Sequence, residues 1–259
     1  MCKTLKIARS TLYYKEKPRT VDAKLENAVI KEFYGNRKVF GRRKLKVVLA
    51  NQNIRISEPK ISKIMKKYSM VSKYTIRNAK KRKEELNADI TGNIVNRKFN
   101  GRGKYEVVVS DLTYIKIGGI WSYLCLLLDL CGRKIIGSAI GNKRDAKLVE
   151  SAFHNTEIDL RNINIFHTDR GSEFKNLVIE QILEAFEIER SLSAKGAPYD
   201  NAVAEAMYSI IKTEFVFGEN YDNISHFKRE WFDYANWYNN RRPHGSLDYL
   251  TPCEWHDLS

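Results

Sequence analysis

The stretch YEVVVSDLTYI, residues 105–115, is rich in β-branched residues and opens the part of the chain that decides the fold. Two more strand-like stretches follow, WSYLCLLLDL at 121–130 and KIIGSAIG at 134–141, and the turn residues of KIGG and CGR separate the three. This spacing is typical of antiparallel hairpins. Beyond it the pattern predicts a helix in DAKLVESAFHNTEIDL, a buried strand in INIFHTD and a helix capped by Ser172 in SEFKNLVIEQILEAFEI, hence a mixed α/β sheet.

Two aspartates interrupt these apolar strands. Asp111 lies inside the first strand, and Asp169 ends the strand INIFHTD. If the first strand pairs with the hairpin on one side and with the returning strand on the other, the two aspartates meet at the topological switch point, where ligands usually bind. A carboxylate among valines is costly unless its charge is matched, and a divalent metal ion is the most economical match.

A third carboxylate is needed to hold two hard cations about 4 Å apart. Glu205 is the candidate, because it lies in GAPYDNAVAEAMYSIIKTE, which predicts a loop, an N-cap at Asp200 or Asn201, and then a helix. Asn201 precedes Glu205 by four residues and Lys212 follows it by seven, so all three share nearly the same helix face. Each acidic residue alone could instead be a solvated, turn-forming or helix-surface side chain.

Charge divides the chain in two. The formal net charge of the whole chain is +14. Residues 1–104 have 29 Lys and Arg against 8 Asp and Glu, a net charge of +21, and the remainder has a net charge of −7. A basic front part suits neutralisation of phosphates, and an acidic remainder suits cations that let phosphates approach. The charge therefore indicates a polyanionic partner.

The basic front part divides into a helical region at 1–71 and a linker at 72–104, which has dense basic charge and little apolar periodicity. A helix from Gly41, the turn NIRIS and a helix EPKISKIMKKYSM with Ser57 as N-cap are typical of a helix-turn-helix. One face of the second helix is predicted to point inward: Ile61, Ile64, Met65 and Tyr68. The predicted phosphate contacts project elsewhere: Lys60, Lys63, Lys66 and Lys67.

Several features are absent from the sequence. The four cysteines form no CxxC pair and the five histidines lack zinc-finger spacing, so neither structural zinc nor disulfides are expected. The apolar run YLCLLLDL is too short to cross a bilayer, and MCKTLKIARS lacks the apolar region of a signal peptide. We expect a soluble, cytoplasmic protein.

The C-terminal stretch WFDYANWYNNRRPHGSL predicts an amphipathic helix that ends in a basic turn. Its apolar face is predicted to pack on the core: Trp231, Tyr234, Ala235 and Tyr238. For the basic turn, a DNA contact and an interaction with the helix end are both open.

Four motifs together resemble one known family: VVVSDLTYI, HTDRGSEF, SLSAKGAPYDNAVAEAMYSIIKTE and YNNRRPHGSLDYLTPCEW. The chain resembles the OrfB transposases of the insertion-sequence-three family, relatives of retroviral integrases, from YGN near Tyr34 to its C-terminus. The resemblance implies a ribonuclease-H-like mixed five-stranded sheet at 105–259 behind an N-terminal all-α region. It also implies that Asp111, Asp169 and Glu205 are the catalytic and metal-binding triad, followed by the basic residue Lys212.

The same resemblance implies a DDE transposase that cleaves and joins DNA strands at insertion-sequence ends, using two Mg2+ ions, with Mn2+ as a substitute. Its partners would be terminal inverted repeats, target DNA, further copies of itself on DNA, and an upstream-frame helix-turn-helix and leucine-zipper product. The protein would act at the bacterial nucleoid. The expected DNA contacts outside the front part are Lys212, Asn201, Arg241, Arg242 and His244, the last three in an element similar to the family's NxxRPH. Two alternatives stay open: a DNA-binding repressor, and a related nuclease that does not join strands.

Overall fold

The structure, a computed structural model, describes Ala8 and residues 23–75, 102–193 and 202–259. Its centre is one five-stranded sheet, formed by β1 Val107–Ile117, β2 Ile120–Asp129, β3 Lys134–Gly141, β4 Ile165–Thr168 and β5 Glu189–Leu192. The order across the sheet is β3-β2-β1-β4-β5, with β1, β2 and β3 antiparallel and β4 and β5 parallel to β1. The predicted mixed sheet is therefore confirmed.

Eight α-helices of the described residues surround or precede the sheet: α1 Ala23–Gly35, α2 Arg42–Asn51, α3 Glu58–Lys67, α4 Ala146–His154, α5 Leu177–Ala185, α6 Ala202–Ile211, α7 Ile224–Asn240 and α8 Pro252–Leu258. A π-helical segment, Lys212–Val216, continues α6 directly, and short 3-10 turns lie at Leu160–Asn162 and Gly245–Leu247. None of the described helices has the length and apolar character needed to span a membrane.

Local sequence signals fix most of these boundaries. Gly118 and Gly119 both have positive φ, at 53° and 85°, as a tight β1–β2 hairpin turn requires. The side chain of Asp145 caps α4 by accepting a hydrogen bond from the Leu148 N–H. The expectation that Ser172 caps the next helix is wrong, since α5 begins at Leu177 and the side chain of Asn176 accepts from the Val178 N–H.

Alternation along β1 divides the core into two layers. Val107 and Val109 join the cluster that contains α6, α7 and the N-terminal helices, whereas Val108 joins the cluster that contains α4 and α5. Successive side chains of a strand point to opposite faces of the sheet, so odd-numbered positions of β1 lead toward α6. Asp111 is one of these odd positions.

The N-terminal helices pack directly on the sheet domain. The Trp237 indole donates to the Asn36 side chain at 3.1 Å, and Arg37 forms an ion pair with Asp233. The expected linker at 72–104 begins with packed residues, because the Lys73 ammonium donates to the main-chain carbonyl of Glu214 at 2.9 Å. Residues 76–101 of that linker lie outside the described residues.

The second helix of the predicted helix-turn-helix, α3, follows Ser57 as expected, with Ile61 and Ile64 fully buried. Tyr68 departs from the prediction: it lies beyond the end of α3, is 41% exposed and donates its hydroxyl to the Glu26 carboxylate. The hydroxyl of a tyrosine needs a hydrogen-bond partner. At the end of α3, Tyr68 reaches such a partner in Glu26, which a buried position on the apolar face would not offer.

Candidate active site

Asp111 and Asp169 occupy matching positions on adjacent parallel strands. The register pairs Val107 with Ile165 and Val109 with His167. Both aspartates lie two residues beyond the last of these pairs, where β4 has ended and β1 continues alongside β2. The sequence prediction that the two carboxylates meet at the switch point therefore corresponds to the observed topology.

The Asp111 carboxylate is buried and lies within electrostatic reach of the other two candidate carboxylates, Asp169 and Glu205. Burial raises the pKa of Asp111 to about 7; the Leu112 N–H, 2.7 Å from Oδ1, opposes this shift, and the charges of Asp169 and Glu205 add to it. Of the positive groups, Arg144 lowers it. The site therefore concentrates negative charge around a partly desolvated carboxylate.

Helix α6 brings Glu205 to this place. The Tyr208 hydroxyl, three residues after Glu205, donates a hydrogen bond to the main-chain carbonyl of Asp111. Residues three apart on a helix lie on one face, so the face that carries Glu205 faces β1. Ala204, Met207 and Ile211 on α6 are buried against the same core layer and fix its position.

Lys212 extends this contact along β1. Its ammonium lies 4.7 Å from the centre of the Tyr114 ring. Lys212 follows Glu205 by seven residues, about 10 Å along a helix, and Tyr114 follows Asp111 by three, about 10 Å along a strand. Helix and strand therefore run side by side, with carboxylates at one end and the Lys212–Tyr114 contact at the other.

The turn after Asp169 is built around Gly171. The Gly171 N–H donates to Asp169 Oδ1 at 2.8 Å. A Cβ atom on Gly171 would lie 2.5 Å from the carboxylate of Glu173, so the turn accepts only glycine without a rearrangement. The RG pair that follows Asp169 thus allows the chain to turn while an N–H orients the aspartate.

Sequence reasoning missed Arg144 and Glu173. Glu173 is buried, and Arg144 donates to its Oε1 from Nε at 2.8 Å and from Nη2 at 2.5 Å. The Glu173 hydrogen bond raises the pKa of Arg144, and the charges of Asp169 and Asp111 contribute further. The only sequence signal for this pair was a glutamate four residues after Asp169, within HTDRGSEF. Its partner Arg144 lies in a different loop, so the pairing could not be read from the motif.

His167, two residues before Asp169, is in a place where it could contact substrate or have a structural role, and it is 1% exposed. Its Nδ1 lies 2.9 Å from the Ser191 hydroxyl of β5. This burial and this contact support the structural role.

The three carboxylates are close but not gathered into one tight cluster. In the part of the chain that the structure describes, the one group of three ligand-type side chains within 4.8 Å is Asp129, Cys131 and His256. The Asp129 carboxylate there already accepts from the N–H groups of Tyr105 and Cys131, both at 3.2 Å, and lies 2.6 Å from His256 Nε2. This buried group joins α8 to the end of β2.

The candidate DNA-contact residues of the C-terminal region divide by burial. Arg241 is exposed, whereas Arg242 and His244 are 4% exposed. Arg242 makes a buried ion pair with Glu214, with Nη2 2.6 Å from Oε1, and its Nη1 lies 2.9 Å from His244 Nε2. Neither side chain reaches the surface, so their burial favours a structural role over the expected DNA contact. Asn201 lies outside the described residues.

The four lysines of α3 are also not equivalent. Lys63 and Lys66 are exposed and Lys60 is half-buried. Lys67 is exposed too, but its ammonium lies 2.8 Å from both oxygens of Glu26, a residue that is 6% exposed. The charge of Lys67 is therefore largely matched within the protein, whereas its neighbours face solvent.

Comparison with known proteins gives the family. Two family models, both described as the integrase core domain, match residues 101–198 and 186–252, and together they span more than half of the chain. The chain belongs to the integrase core family. Within this family it is a transposase, an enzyme that cleaves and transfers DNA strands.

The relatives are transposases of bacterial insertion sequences. The transposase for insertion sequence element IS904 from Lactococcus lactis subsp. lactis is 27% identical over 86% of this chain and 89% of its own length. The transposase for IS629 from Shigella sonnei is 25% identical over 98% of this chain and 89% of its own. The expected membership among insertion-sequence transposases is confirmed.

A solved structure shows the same fold. A chain of the simian T-cell lymphotropic virus intasome, solved by cryo-EM in complex with PP2A regulatory subunit B56 gamma, matches with a TM-score of 0.53 and 13% identity. The match covers 88% of this chain and 73% of that one. The ribonuclease-H-like integrase core that the sequence predicted is therefore confirmed.

Proposed function

We propose that Asp111, Asp169 and Glu205 are the catalytic triad of this transposase and hold two magnesium ions at the ends of its insertion sequence. The observation that carries the proposal is the matched position of Asp111 and Asp169 on β1 and β4, with α6 bonded to the same strand through Tyr208. These contacts support one site formed by three acidic residues that are far apart in the sequence.

The donor chemistry fits hard divalent cations. All three side chains offer carboxylate oxygens, the ligands that Mg2+ prefers, and Mn2+ would serve as a substitute. Burial, and to a smaller extent the charges of Asp169 and Glu205, raises the pKa of Asp111 to about 7, so a cation bound there would stabilise the charged form of this carboxylate. Magnesium held here would activate the attacking oxygen and stabilise the leaving oxygen of an in-line phosphoryl displacement.

The protein's own residues would prepare the site in three ways. Gly171 and Leu112 orient the two aspartates through their N–H groups. Tyr208 sets the distance between α6 and β1, and therefore the placement of Glu205. Lys212 places an ammonium about 10 Å along the helix from Glu205, where it would pair with a phosphate of the substrate strand.

The remaining DNA contacts that we propose come from two surfaces. Lys60, Lys63 and Lys66 on α3 would neutralise phosphates of the terminal repeat, and Arg241 would contact DNA at the end of α7. Asn201, four residues before Glu205, stays a proposed contact. We further propose that several copies assemble on the DNA, and that an upstream-frame helix-turn-helix product or fusion supplies part of the end recognition.

A strand-joining assay tests this function. The protein is incubated with labelled terminal-repeat DNA and Mg2+ or Mn2+, and cleaved and joined products are separated. Asp169→Asn and Glu205→Gln remove one carboxylate each, and Glu184→Gln, an exposed carboxylate on α5, is the matched control.

We expect wild type and the Glu184 variant to cut and join, and both triad variants to lose the two products while keeping DNA binding. Cutting without joining by wild type would instead identify a nuclease. Binding alone by wild type would identify a repressor, and unchanged joining by Asp169→Asn would refute the triad.

A further inference from the structure

The tip of the β1–β2 hairpin carries a group of exposed aromatic side chains. Tyr114 is 60% exposed and Trp121 is 55% exposed, and their rings meet edge to face with centroids 5.3 Å apart. Lys116 stands directly opposite Trp121 in the strand pairing. Tyr114, Lys116 and Trp121 are called the hairpin platform below. Large exposed aromatic groups of this kind commonly mark binding surfaces.

Main-chain contacts of the β1–β2 turn hold the hairpin platform in place. The Gly118 N–H donates to the Tyr221 carbonyl at 2.9 Å, and a Cβ atom on Gly118 would lie 2.4 Å from the Asp222 carbonyl. The turn is thus packed against the segment that leads into α7. A pre-positioned aromatic surface loses little conformational entropy when it binds a ligand.

The charges around the platform favour a polyanion. A shallow cavity of about 330 Å3 beside Tyr114 and Trp121 is lined by Lys116 and Lys212 and by apolar side chains, with no acidic residue in its described lining. The Lys212 ammonium lies against the Tyr114 ring at 4.7 Å. Aromatic rings interleaved with cations are the combination that binds single-stranded nucleic acid, by stacking bases and neutralising phosphates.

The distance to the carboxylates limits which nucleotides could reach the platform. Tyr114 lies about 10 Å beyond Asp111 along β1 and, as an even-numbered position, points to the opposite face of the strand, whereas stacked nucleotides are separated by about 3.4 Å along a strand. The platform is therefore at least about three nucleotides from a phosphate held at the triad, on a path around the edge of β1 that β4 leaves open. Bases this close to a reacting phosphate are at the end of the substrate, where pairing is weakest.

We propose that the hairpin platform stacks an unpaired base of the substrate strand, at least about three nucleotides from the reacting phosphate, on Trp121. Lys116 and Lys212 pair with the flanking phosphates. The platform thereby holds the DNA end open beside the triad. This inference rests on the proposed placement of the reacting phosphate at Asp111, Asp169 and Glu205.

The test uses the full chain and short duplexes, without divalent metal so that no cleavage occurs. One duplex ends in about three unpaired nucleotides, one of them 2-aminopurine, and the other is fully paired. Trp121→Ala is compared with Trp121→Phe, which keeps an aromatic face. Phe232→Ala is the control, because Phe232 is an exposed aromatic residue, at 71%, on α7. Circular dichroism checks that each variant is folded.

We expect wild type to quench 2-aminopurine and Trp121→Ala to weaken binding of the frayed duplex about five- to hundredfold, with binding of the paired duplex unchanged. Trp121→Phe should retain most of the affinity, and Phe232→Ala all of it. Equal affinity of a folded Trp121→Ala for the frayed duplex would overturn the inference, as would an equal loss on both duplexes. Loss of self-association with DNA binding intact would also overturn it, in favour of a protein contact.

The two proposals fail separately. If Asp169→Asn still joins strands while Trp121→Ala loses frayed-end binding, the triad assignment is wrong. The stacking surface then remains, but its distance in nucleotides from the reacting phosphate is no longer defined. If the triad variants are inactive and Trp121→Ala binds frayed ends normally, only the platform is refuted.

Discussion

The Tyr208 hydroxyl donates a hydrogen bond to the main-chain carbonyl of Asp111. This single contact joins the helix that carries Glu205 to the strand that carries Asp111, at a point where β4 has ended and no longer covers β1. Tyr208 itself is 6% exposed, so the hydrogen bond to Asp111 satisfies a hydroxyl group that has little access to water. The placement of the third carboxylate therefore depends on a residue that bears no charge.

Tyr208→Phe removes that hydrogen bond and leaves the Asp111 carbonyl without this donor. We expect the free energy of unfolding to fall by about 1–3 kcal/mol. We also expect the cleavage rate to fall and the Mg2+ concentration for half-maximal activity to rise, because Glu205 would be less well placed. Tyr249→Phe, at a 36% exposed tyrosine, is the control. A destabilised Tyr208→Phe with unchanged metal dependence would show that the contact only supports the fold.

Gly171→Ala tests the turn after Asp169. The added Cβ must displace the buried Glu173 carboxylate from Arg144, so we expect a loss of about 1–3 kcal/mol in unfolding free energy. Cleavage should slow as well, because the Gly171 N–H would no longer orient Asp169. Gly245→Ala is matched, since a Cβ there meets nothing within 4 Å. Equal stability and activity of the two variants would contradict this description of the turn.

The buried ion pair between Glu214 and Arg242 is expected to dominate the stability of the C-terminal region. Glu214→Gln leaves the Arg242 charge buried without its partner, so chemical denaturation should show a loss of about 3–5 kcal/mol. Asp159→Asn breaks the pair with Arg161, whose side chains are 44% and 76% exposed, and should cost under about 1 kcal/mol. Similar losses in both variants would mean that burial does not set the energy of the pair.

The same pair predicts a pH dependence. Burial alone would raise the pKa of Glu214, but the charge and hydrogen bonds of Arg242 outweigh it and lower the pKa below its ordinary value of 4.5. A carboxylate with a lowered folded-state pKa stabilises the fold above its unfolded value and loses that stabilisation as the pH falls through the folded value. The stability difference between wild type and Glu214→Gln should be constant from pH 7 to about 5 and shrink below about 4.5. A difference that does not change in acid would contradict the lowered pKa.

Removal of single lysines from α3 should separate phosphate contacts from internal pairing. Lys63→Ala and Lys66→Ala should each weaken DNA binding and reduce the salt dependence of log K by about 0.9 per lost contact. Lys67→Ala should change the salt dependence less and reduce stability instead, because its ammonium is held by Glu26. Equal salt slopes for all three variants would remove α3 from the proposed interface.

Sequence patterns were sufficient for the sheet and for the matching positions of Asp111 and Asp169 on it. Hairpin spacing fixed β1, β2 and β3, and the apolar run ending in Asp169 fixed β4 beside β1. The roles of Arg242 and His244 could not be read in the same way, because Arg242 pairs with Glu214 from a separate motif and His244 in turn contacts Arg242. The pairing of Lys67 with Glu26 and of Arg144 with Glu173 is equally non-local, and periodicity carries no information about such contacts.

Anomalous scattering from crystals of the protein with Mn2+ and a terminal-repeat duplex tests the triad most directly. We predict two manganese peaks, both ligated by carboxylates of Asp111, Asp169 and Glu205 and lying against a DNA phosphate. Manganese bound instead at Asp129, Cys131 and His256, or a DNA-bound site in which Glu205 stays apart from the two aspartates, would contradict it.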